Sequence, residues 1–290
     1  MNSDYIIARN EYICAGIIYG TIGCILHFVN IPSEFVVICR GLIGALFIYT
    51  YLMIKKNHMD FPSIKSNLFN LILSGAGLGL NWVFLFAAYR YTSVAIGTLC
   101  NYVGPIIVIA LSPFLYKERL TLKKVLCVLS AAIGIICISG VFDSTDTHVS
   151  LFGIALGLLS AVCFVINVVF TRRTKDVSVY DKAVTQLVAA ALASLPYALI
   201  VNRNTQITID LRSVILILVL GLIHTGLAYC FYFRAMSTLP VQTFSILGYI
   251  EPVVAILLSA LFLKEKLTIM GIIGAVLILG AVFVSELKTK

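Results

Sequence analysis

Two charged side chains inside apolar segments are the residues whose chemistry stands out. Glu251 lies near the middle of one apolar segment, and Arg40 lies inside another. A charge in such a segment is costly, so each one marks a hypothesis of function. A carboxylate can exchange a proton as its access to water changes, and a guanidinium can hold a substrate carboxylate through paired hydrogen bonds. Structural alternatives stay open: a glutamate that joins helices beside Pro252, and an arginine that pairs helices or snorkels.

Two polar, tyrosine-centred helix faces form a second group of candidates. Asn101 and Tyr102 lie within about 100° of arc on one helix, and Gln242 and Tyr249 share a face on another. At about 100° per residue, Glu251 lies roughly 200° from Tyr249. We therefore expect that the side chains of Glu251 and Tyr249 cannot both point squarely into one cavity.

Aromatic residues complete the candidate set. Trp82 is the only tryptophan, and Tyr19 shares a helix face with Gly16 and Gly20. Aromatic walls suit apolar side chains or, through cation–π attraction, ammonium groups. Helix packing is the alternative for each of these residues. The predicted substrate-binding residues are Tyr19, Trp82, Asn101, Tyr102, Tyr229, Gln242 and Tyr249, and the predicted coupling or structural charges are Glu251 and Arg40.

The composition requires a lipid environment for most of the chain. Apolar and aromatic residues make up 60% of the 290 residues, charged residues make up 12%, and the mean hydropathy is +1.04. Soluble domains are about 45–50% apolar and about 25% charged. A soluble enzyme, a nucleic-acid-binding protein and a disordered chain are therefore excluded. The net charge of +8 lies in short clusters between apolar runs, so it predicts no nucleic-acid partner.

Ten apolar segments of about 17–25 residues are long enough to cross a hydrocarbon core of about 30 Å as helices. Backbone groups in lipid must be satisfied internally, and the continuous apolar runs differ from the alternating strands of a membrane barrel. The sequence therefore predicts an all-α integral membrane protein with ten transmembrane helices. The predicted segments are 12–29, 35–54, 67–89, 93–115, 122–141, 150–170, 182–201, 213–236, 239–263 and 269–286.

The distribution of positive charge predicts the orientation of the chain. Ten spans place both termini on one side of the membrane. With that side inside, 15 of the 21 Lys and Arg residues fall in inside segments, 5 fall in outside segments, and Arg40 lies within a span. Positive residues are enriched on the cytoplasmic side. We expect a multi-pass protein of the cell membrane with both termini in the cytoplasm.

The chain also contains an internal repeat. Residues 77–121 align without a gap on residues 224–268, and 15 of the 45 positions are identical, with Trp82 matched by Tyr229. The repeating unit holds five helices, an odd number, so the second copy enters the membrane upside down. Inverted repeats place a shared site near the membrane midplane and let it open to either side. We predict two inverted five-helix units, residues 1–142 and 149–290.

The repeated motifs resemble those of the EamA-like family of the drug/metabolite transporter superfamily. The resemblance covers essentially the whole chain and is carried by Tyr102-Val103-Gly104-Pro105, Lys117-Glu118, Tyr249-Ile250-Glu251-Pro252 and Lys264-Glu265. It implies two inverted five-helix bundles and secondary transport, in many members the export of amino acids or other small metabolites. Gly104 departs from the family pattern, because the second unit has Glu251 at the matching position. A shared role of that glutamate in both halves is therefore lost.

Motifs for other energy sources and for cofactors are missing from the sequence. It has no Walker A motif, so ATP hydrolysis is not supported, and no His-Glu-x-x-His or Cys-x-x-Cys motif predicts a metal site. We expect no cofactor, no metal and no catalytic residues. The expected partners are a small-molecule substrate, the lipid bilayer and, if Glu251 couples transport, protons. A homodimer that uses the small residues of the last helix stays open.

The favoured hypothesis is a secondary exporter of amino acids or related small metabolites that works by alternating access. Within transporters, the alternatives are a multidrug or cationic-compound exporter and a facilitator without ion coupling. Small cation exporters that resemble this fold carry a glutamate within the first helix, whereas Glu11 lies at its membrane edge. From other classes, an intramembrane enzyme would need a clustered catalytic set, and a scaffold would show no ligand-dependent change.

Overall fold

The computed structural model describes residues 3–26, 28–91, 97, 100–117, 120–138, 150–203, 209–262 and 269–286. Every regular element in these ranges is a helix, which confirms the predicted all-α class. The first half contains α1 (Ser3–Gly20), α2 (Ile22–Leu26), α3 (Ser33–Ile54), α4 (Phe61–Ser66), α5 (Leu68–Tyr91), α6 (Val103–Tyr116) and α7 (Leu122–Ile138). The second half contains α8 (Leu151–Arg173), α9 (Val179–Val201), α10 (Leu211–Val219), a π-helix (Leu220–Leu227), α11 (Ala228–Thr238), α12 (Val241–Leu247), α13 (Ile250–Phe262) and α14 (Ile269–Glu286).

Within the described residues, five stretches of helix are long and apolar enough to cross a membrane. These are Ser33–Ile54, Leu68–Ala88, Leu151–Arg173, Val179–Val201 and Leu211–Thr238. Two shorter apolar helices, Val103–Tyr116 and Ile272–Ala281, lie in the predicted fourth and tenth spans. These helices agree with the predicted membrane-spanning class. The count of ten spans and their inverted arrangement stay predictions.

Helix breaks are the main difference from the predicted segments. The first helix begins at Ser3 rather than at residue 12 and is interrupted at Thr21. The predicted ninth segment is divided at Gly248 and Tyr249 into α12 and α13. Pro252 then falls in the first turn of α13, where its missing N–H leaves no helical hydrogen bond unmade. Hydropathy alone does not detect such breaks, because both sides of each break are apolar.

The predicted end of the fourth helix is confirmed at Lys117. This residue ends α6 in a left-handed conformation with a φ of 55°, which terminates the helical path. Its predicted partner in the motif, Glu118, and the equivalent pair Lys264 and Glu265 lie outside the described residues. Thr98, which the sequence places on the face of Asn101, also lies outside them.

Helix packing joins the first half of the chain to the second. α5 packs against α8 and α9, α3 packs against α9 and the π-helix, and α1 packs against α11 and α13. The close approach of α5 to α9 depends on Gly79, because a Cβ atom there would collide with the carbonyl of Ala190. These contacts arrange helices from both halves around one internal space.

α7 and α14 form a separate pair beside this arrangement. Ser130 Oγ donates a hydrogen bond of 3.3 Å to the carbonyl of Leu277. A Cβ atom on Gly134 would lie 2.8 Å from the carbonyl oxygen of Gly274, so the two backbones approach closely. Small residues thus allow this helix pair to form through backbone contact.

Candidate functional site

A cavity of about 310 Å³ lies between the helices of the two halves. Its wall is built by side chains from α1, α2, α3, α5, α6, α8, α11, α12 and α13, together with the short connections beside α6 and α13. Seven of the nine candidate residues from the sequence line this cavity: Tyr19, Arg40, Trp82, Asn101, Tyr102, Tyr229 and Glu251. The fold therefore brings residues together that are more than 200 positions apart in the sequence.

The cavity lies toward one end of the bundle. Its wall includes Leu26 of α2 and Phe86, which lies near the C-terminal end of α5. At the opposite end, where α1 begins, Ala8, Phe233 and Met236 are fully buried in the main apolar core. Apolar side chains are thus packed at the end at which α1 begins, whereas residues that line the cavity reach α2 and the C-terminal part of α5.

Arg40 supplies the positive charge of the cavity wall. Its side chain is only 3% exposed, and its Nε donates a hydrogen bond of 3.1 Å to Thr225 Oγ1 on the π-helix. The guanidinium carbon lies 4.3 Å from the centre of the Trp82 ring, a cation–π distance. Arg40 is thus held between an aromatic ring and a hydroxyl. The sequence placed this residue inside an apolar segment but did not locate either contact.

Glu251 supplies the negative charge of the wall. It lies in the first turn of α13, directly after the break at Gly248 and Tyr249, and its side chain is half-buried. A carboxylate is favoured at a helix N-terminus, because the peptide dipoles place partial positive charge there. Arg40 acts on this carboxylate as an attractive charge. Arg40 and Glu251 are the two charged residues among the described residues that line the cavity, so the wall has no net charge when both are ionised.

Amide groups provide hydrogen-bonding capacity on another side of the cavity. Asn81 Nδ2 donates to Asn101 Oδ1 at 2.6 Å and to the carbonyl of Ser160 at 2.8 Å. Ser160 Oγ lies 3.0 Å from the same Asn101 oxygen. Ser160 Oγ also lies 2.6 Å from the carbonyl oxygen of Gly157, and its single proton can serve only one of these two acceptors. The hydrogen bond from Asn81 therefore orients Asn101, with the Asn101 oxygen toward Asn81.

Aromatic rings form a continuous wall around the charged pair. Trp82 meets Tyr229 edge-on at 5.6 Å between ring centres, and Tyr229 lies 5.4 Å from Tyr19 and 5.3 Å from Tyr232. Tyr12 lies 6.0 Å from Tyr232. The sequence analysis missed Tyr12 and Tyr232. The available signal was helical spacing, because Tyr12 precedes Gly16 by four residues and Tyr232 follows Tyr229 by three.

Two buried hydroxyl groups lie in residues that line the cavity. Tyr19 is 8% exposed and Ser245 is 1% exposed, and both line the cavity. Within the described part of the chain, neither the Tyr19 hydroxyl nor Ser245 Oγ has a hydrogen-bond partner. Buried polar groups are normally hydrogen-bonded, so such groups need a partner from outside the protein.

Two candidate residues lie outside the cavity wall. Tyr249 is fully buried in a second apolar cluster, with its ring 5.7 Å from that of Tyr102 and its hydroxyl 3.4 Å from the Tyr102 carbonyl. Gln242 is also fully buried, and its Nε2 donates to Ser112 Oγ at 2.9 Å. The expectation that Tyr249 and Glu251 face different ways is met. The structure directs Glu251, rather than Tyr249, into the cavity.

The described residues hold no cluster of three or more His, Cys, Asp or Glu side chains placed to bind a metal ion. The described wall offers one cation, one carboxylate, amides, hydroxyls and aromatic faces. Such a wall matches a small ligand that carries charge of both signs and an apolar portion.

Two curated relatives and one solved structure are similar to this chain. A transporter of Bacillus subtilis (strain 168), named uncharacterized transporter YxxF, is 26% identical over 94% of this chain and 88% of its own length. A probable amino-acid metabolite efflux pump of Salmonella typhimurium is 26% identical over 74% of this chain and 76% of its own length. A solved crystal structure matches with a TM-score of 0.82 at 20% identity, covering 96% of this chain and 97% of that one, which shows a shared fold.

The family assignment follows from the match to a family model. The model of the EamA-like transporter family matches residues 12–140 and again residues 151–287, so it covers nearly the whole chain in two copies. Members of this family are transporters of the membrane, and the described part of this chain has helices long and apolar enough to span one. This chain belongs to the EamA-like transporter family.

Proposed function

We propose that this chain is a secondary transporter that exports amino acids or related small metabolites by alternating access. The observation that carries the proposal is the cavity that joins Arg40 and Glu251 within one aromatic wall. A zwitterionic metabolite offers a carboxylate to the guanidinium and an ammonium group to the carboxylate and the ring faces. The relative named as a probable amino-acid metabolite efflux pump supports the same substrate class.

The architecture that we propose has ten crossing helices in two inverted five-helix units. The pairing of α7 with α14, the last helices of the two units, supports an equivalent role for both. With both termini in the cytoplasm, we propose that the packed end at which α1 begins is closed and faces the cytoplasm, and that the cavity extends toward the outside. Rocking of the two units around the cavity would then close the outer end and open the inner one.

Glu251 is the residue that we propose for proton coupling. It is the carboxylate of the described wall, and it shares the cavity with Arg40, to which a substrate carboxylate would bind. Protonation of Glu251 removes its attraction for an ammonium group and so favours release of the substrate. An external proton would thus exchange for the substrate on the outer side, and the export of one would be driven by the entry of the other.

A cationic compound is the second substrate class that the wall can accommodate, because its rings and Glu251 attract positive charge. Arg40 argues against it, since the buried guanidinium repels a ligand without a carboxylate or other anionic group. A facilitator without ion coupling differs from the proposed exporter only in the role of Glu251, which then is structural.

Flux measurements in proteoliposomes test the proposal. A metabolite panel is first screened for ligands that raise the melting temperature of the purified protein. The best ligand is then tested for flux with and without an imposed proton gradient, in the wild type and in Glu251→Gln. We expect the gradient to accelerate flux in the wild type and to lose this effect in the variant, while exchange of labelled for unlabelled substrate continues.

Each other result assigns the protein differently. Flux that ignores both the gradient and Glu251→Gln indicates a facilitator. Stabilisation by organic cations alone indicates the cationic-compound exporter. A broad panel with neither stabilisation nor flux contradicts the transport proposal.

A further inference from the structure

The contact between Arg40 and Thr225 depends on an unusual segment of the eighth predicted span. Thr225 Oγ1 accepts from Arg40 Nε at 3.1 Å and donates to the carbonyl of Leu220 at 2.8 Å. The hydroxyl is therefore oriented by the backbone of its own helix, with its lone pair directed at Arg40. Leu220 and Thr225 are five residues apart, the spacing of the π-helix in which both lie.

The π-helix also lets α3 approach closely enough for this contact. Gly44 lies four residues after Arg40, so both face the same side of α3. A Cβ atom on Gly44 would lie 2.8 Å from the Thr225 methyl carbon, which is closer than real contacts allow. On the other side, a Cβ on Gly221 would collide with Ile43. Short π-helical segments are rare and occur frequently at functional sites.

We propose that Thr225 is the positioning residue that holds Arg40 in its substrate-binding orientation. Its hydroxyl binds Nε, the guanidinium nitrogen that is attached to the side-chain stem, and the Trp82 ring supports the guanidinium plane. Together with a hydrogen bond between Arg40 and the Tyr229 hydroxyl, these two contacts set the direction in which the guanidinium faces the cavity. The part that concerns substrate binding rests on the proposed function, whereas the positioning of Arg40 does not.

Three variants separate the hydroxyl from the shape of the side chain. Thr225→Val keeps the methyl group that packs on Gly44 and removes the hydroxyl, and Thr225→Ser does the reverse. Arg40→Gln is the reference variant, in which no positive charge lies over the Trp82 ring. Since Trp82 is the only tryptophan of the chain, its fluorescence reports the position of Arg40 without any ligand.

The first measurement is the emission maximum of Trp82 and its quenching by acrylamide in the purified full-length protein. We expect Thr225→Val to shift both toward the Arg40→Gln values and Thr225→Ser to match the wild type. A valine variant with wild-type emission and quenching overturns the proposal. If Thr225→Val does not fold, Thr225→Ala is the second variant without a hydroxyl. Its emission maximum and quenching are then compared with those of the wild type and of Arg40→Gln in the same way.

The second measurement is counterflow in proteoliposomes. The substrate is whichever of the twenty common amino acids the wild type exchanges fastest. Hydrogen bonds to charged groups have measurable net strength, so we expect Thr225→Val to raise KM about 10-fold with kcat little changed. Thr225→Ser restores the wild-type KM, and Thr225→Val has no further effect in the Arg40→Gln background. A fall in kcat alone, or equal losses in both backgrounds, contradicts the positioning role. If no amino acid is exchanged, the substrate class fails while the fluorescence result still decides the position of Arg40.

Discussion

Arg40 lies over Trp82 at 4.3 Å from the ring centre, and it joins a buried charge to the aromatic wall of the cavity. Because indole is the strongest of the aromatic partners for a cation, Trp82→Phe should weaken the support of Arg40 while keeping an apolar ring in place. We expect the KM for the best transported metabolite to rise about 3-fold. Phe114→Leu, at an exposed aromatic residue of α6, is the control and should leave KM unchanged. Equal effects of the two substitutions would exclude a specific contribution of Trp82.

Gly79 tests the close approach of α5 to α9. A Cβ atom at this position would meet the backbone carbonyl of Ala190, which cannot move aside without moving α9. We expect Gly79→Ala to destabilise the protein by about 1–3 kcal/mol, the usual cost of overpacking. Gly280→Ala is the matched control, because a Cβ there meets nothing within 4 Å and alanine favours helix. Thermal unfolding in detergent checks the pair, and similar melting temperatures for both variants would contradict the packing described above.

The ion pair between Glu11 and Arg234 connects α1 to α11 at the end of the bundle that we propose to be closed, with 3.1 Å between Oε1 and Nη1. The two side chains are 22% and 38% exposed, so the pair stabilises the fold by only about 0.2–1 kcal/mol. We expect Glu11→Gln to change the melting temperature little but to favour opening at this end. The readout is the rate at which the half-buried Cys230, one turn before Arg234, reacts with a maleimide, followed by mass spectrometry.

An approximately 3-fold faster reaction of Cys230 is the expected result, because a lost attraction of about 0.2–1 kcal/mol corresponds to a factor of about 1.4 to 5. The double variant Glu11→Arg with Arg234→Glu recreates the attraction with the charges exchanged, so its rate should return toward the wild-type value. Unchanged reactivity in Glu11→Gln would show that this ion pair does not hold the end closed.

The charge distribution makes a prediction about both termini. Since 15 of the 21 Lys and Arg residues fall on one predicted side, a protease-cleavable tag at either end should be protected in right-side-out vesicles and cleaved in inverted ones. A tag inserted beside Arg203, in the predicted outside segment between α9 and α10, is the control and should behave oppositely. Cleavage of the two terminal tags from different sides would require an odd number of spans.

Sequence patterns predict continuous helices better than they predict breaks. The predicted second segment, 35–54, corresponds to Ser33–Ile54, and the predicted last segment, 269–286, corresponds to Ile269–Glu286. Both agree because a long apolar run in lipid must form a helix to satisfy its backbone hydrogen bonds. The direction of the Tyr249 side chain cannot be calculated from that of Gln242 at 100° per residue, because the chain is not continuously helical between the two residues. This is why a face extrapolated from α12 placed Tyr249 in the candidate site.

Local backbone geometry also determines the contacts of Arg40, whose role the sequence left open between function and structure. Its hydroxyl partner, Thr225, projects from a π-helix, and the hydropathy of residues 220–227 does not distinguish that helix from an α-helix. The aromatic residues were easier to predict, because Trp82 and Tyr229 are equivalent in the repeat and meet at 5.6 Å in the fold.

The balance of one cation and one carboxylate in the wall has an electrical consequence. With Arg40 and Glu251 both ionised, the proposed rocking of the empty carrier moves no net charge through the field of the membrane, and neither does rocking with a bound zwitterion. Protonation of Glu251 leaves the charge of Arg40 uncompensated. Each elementary charge that crosses the whole field changes the energy by about 2.3 kcal/mol per 100 mV. The protonation state of one side chain therefore decides which half of the cycle responds to voltage.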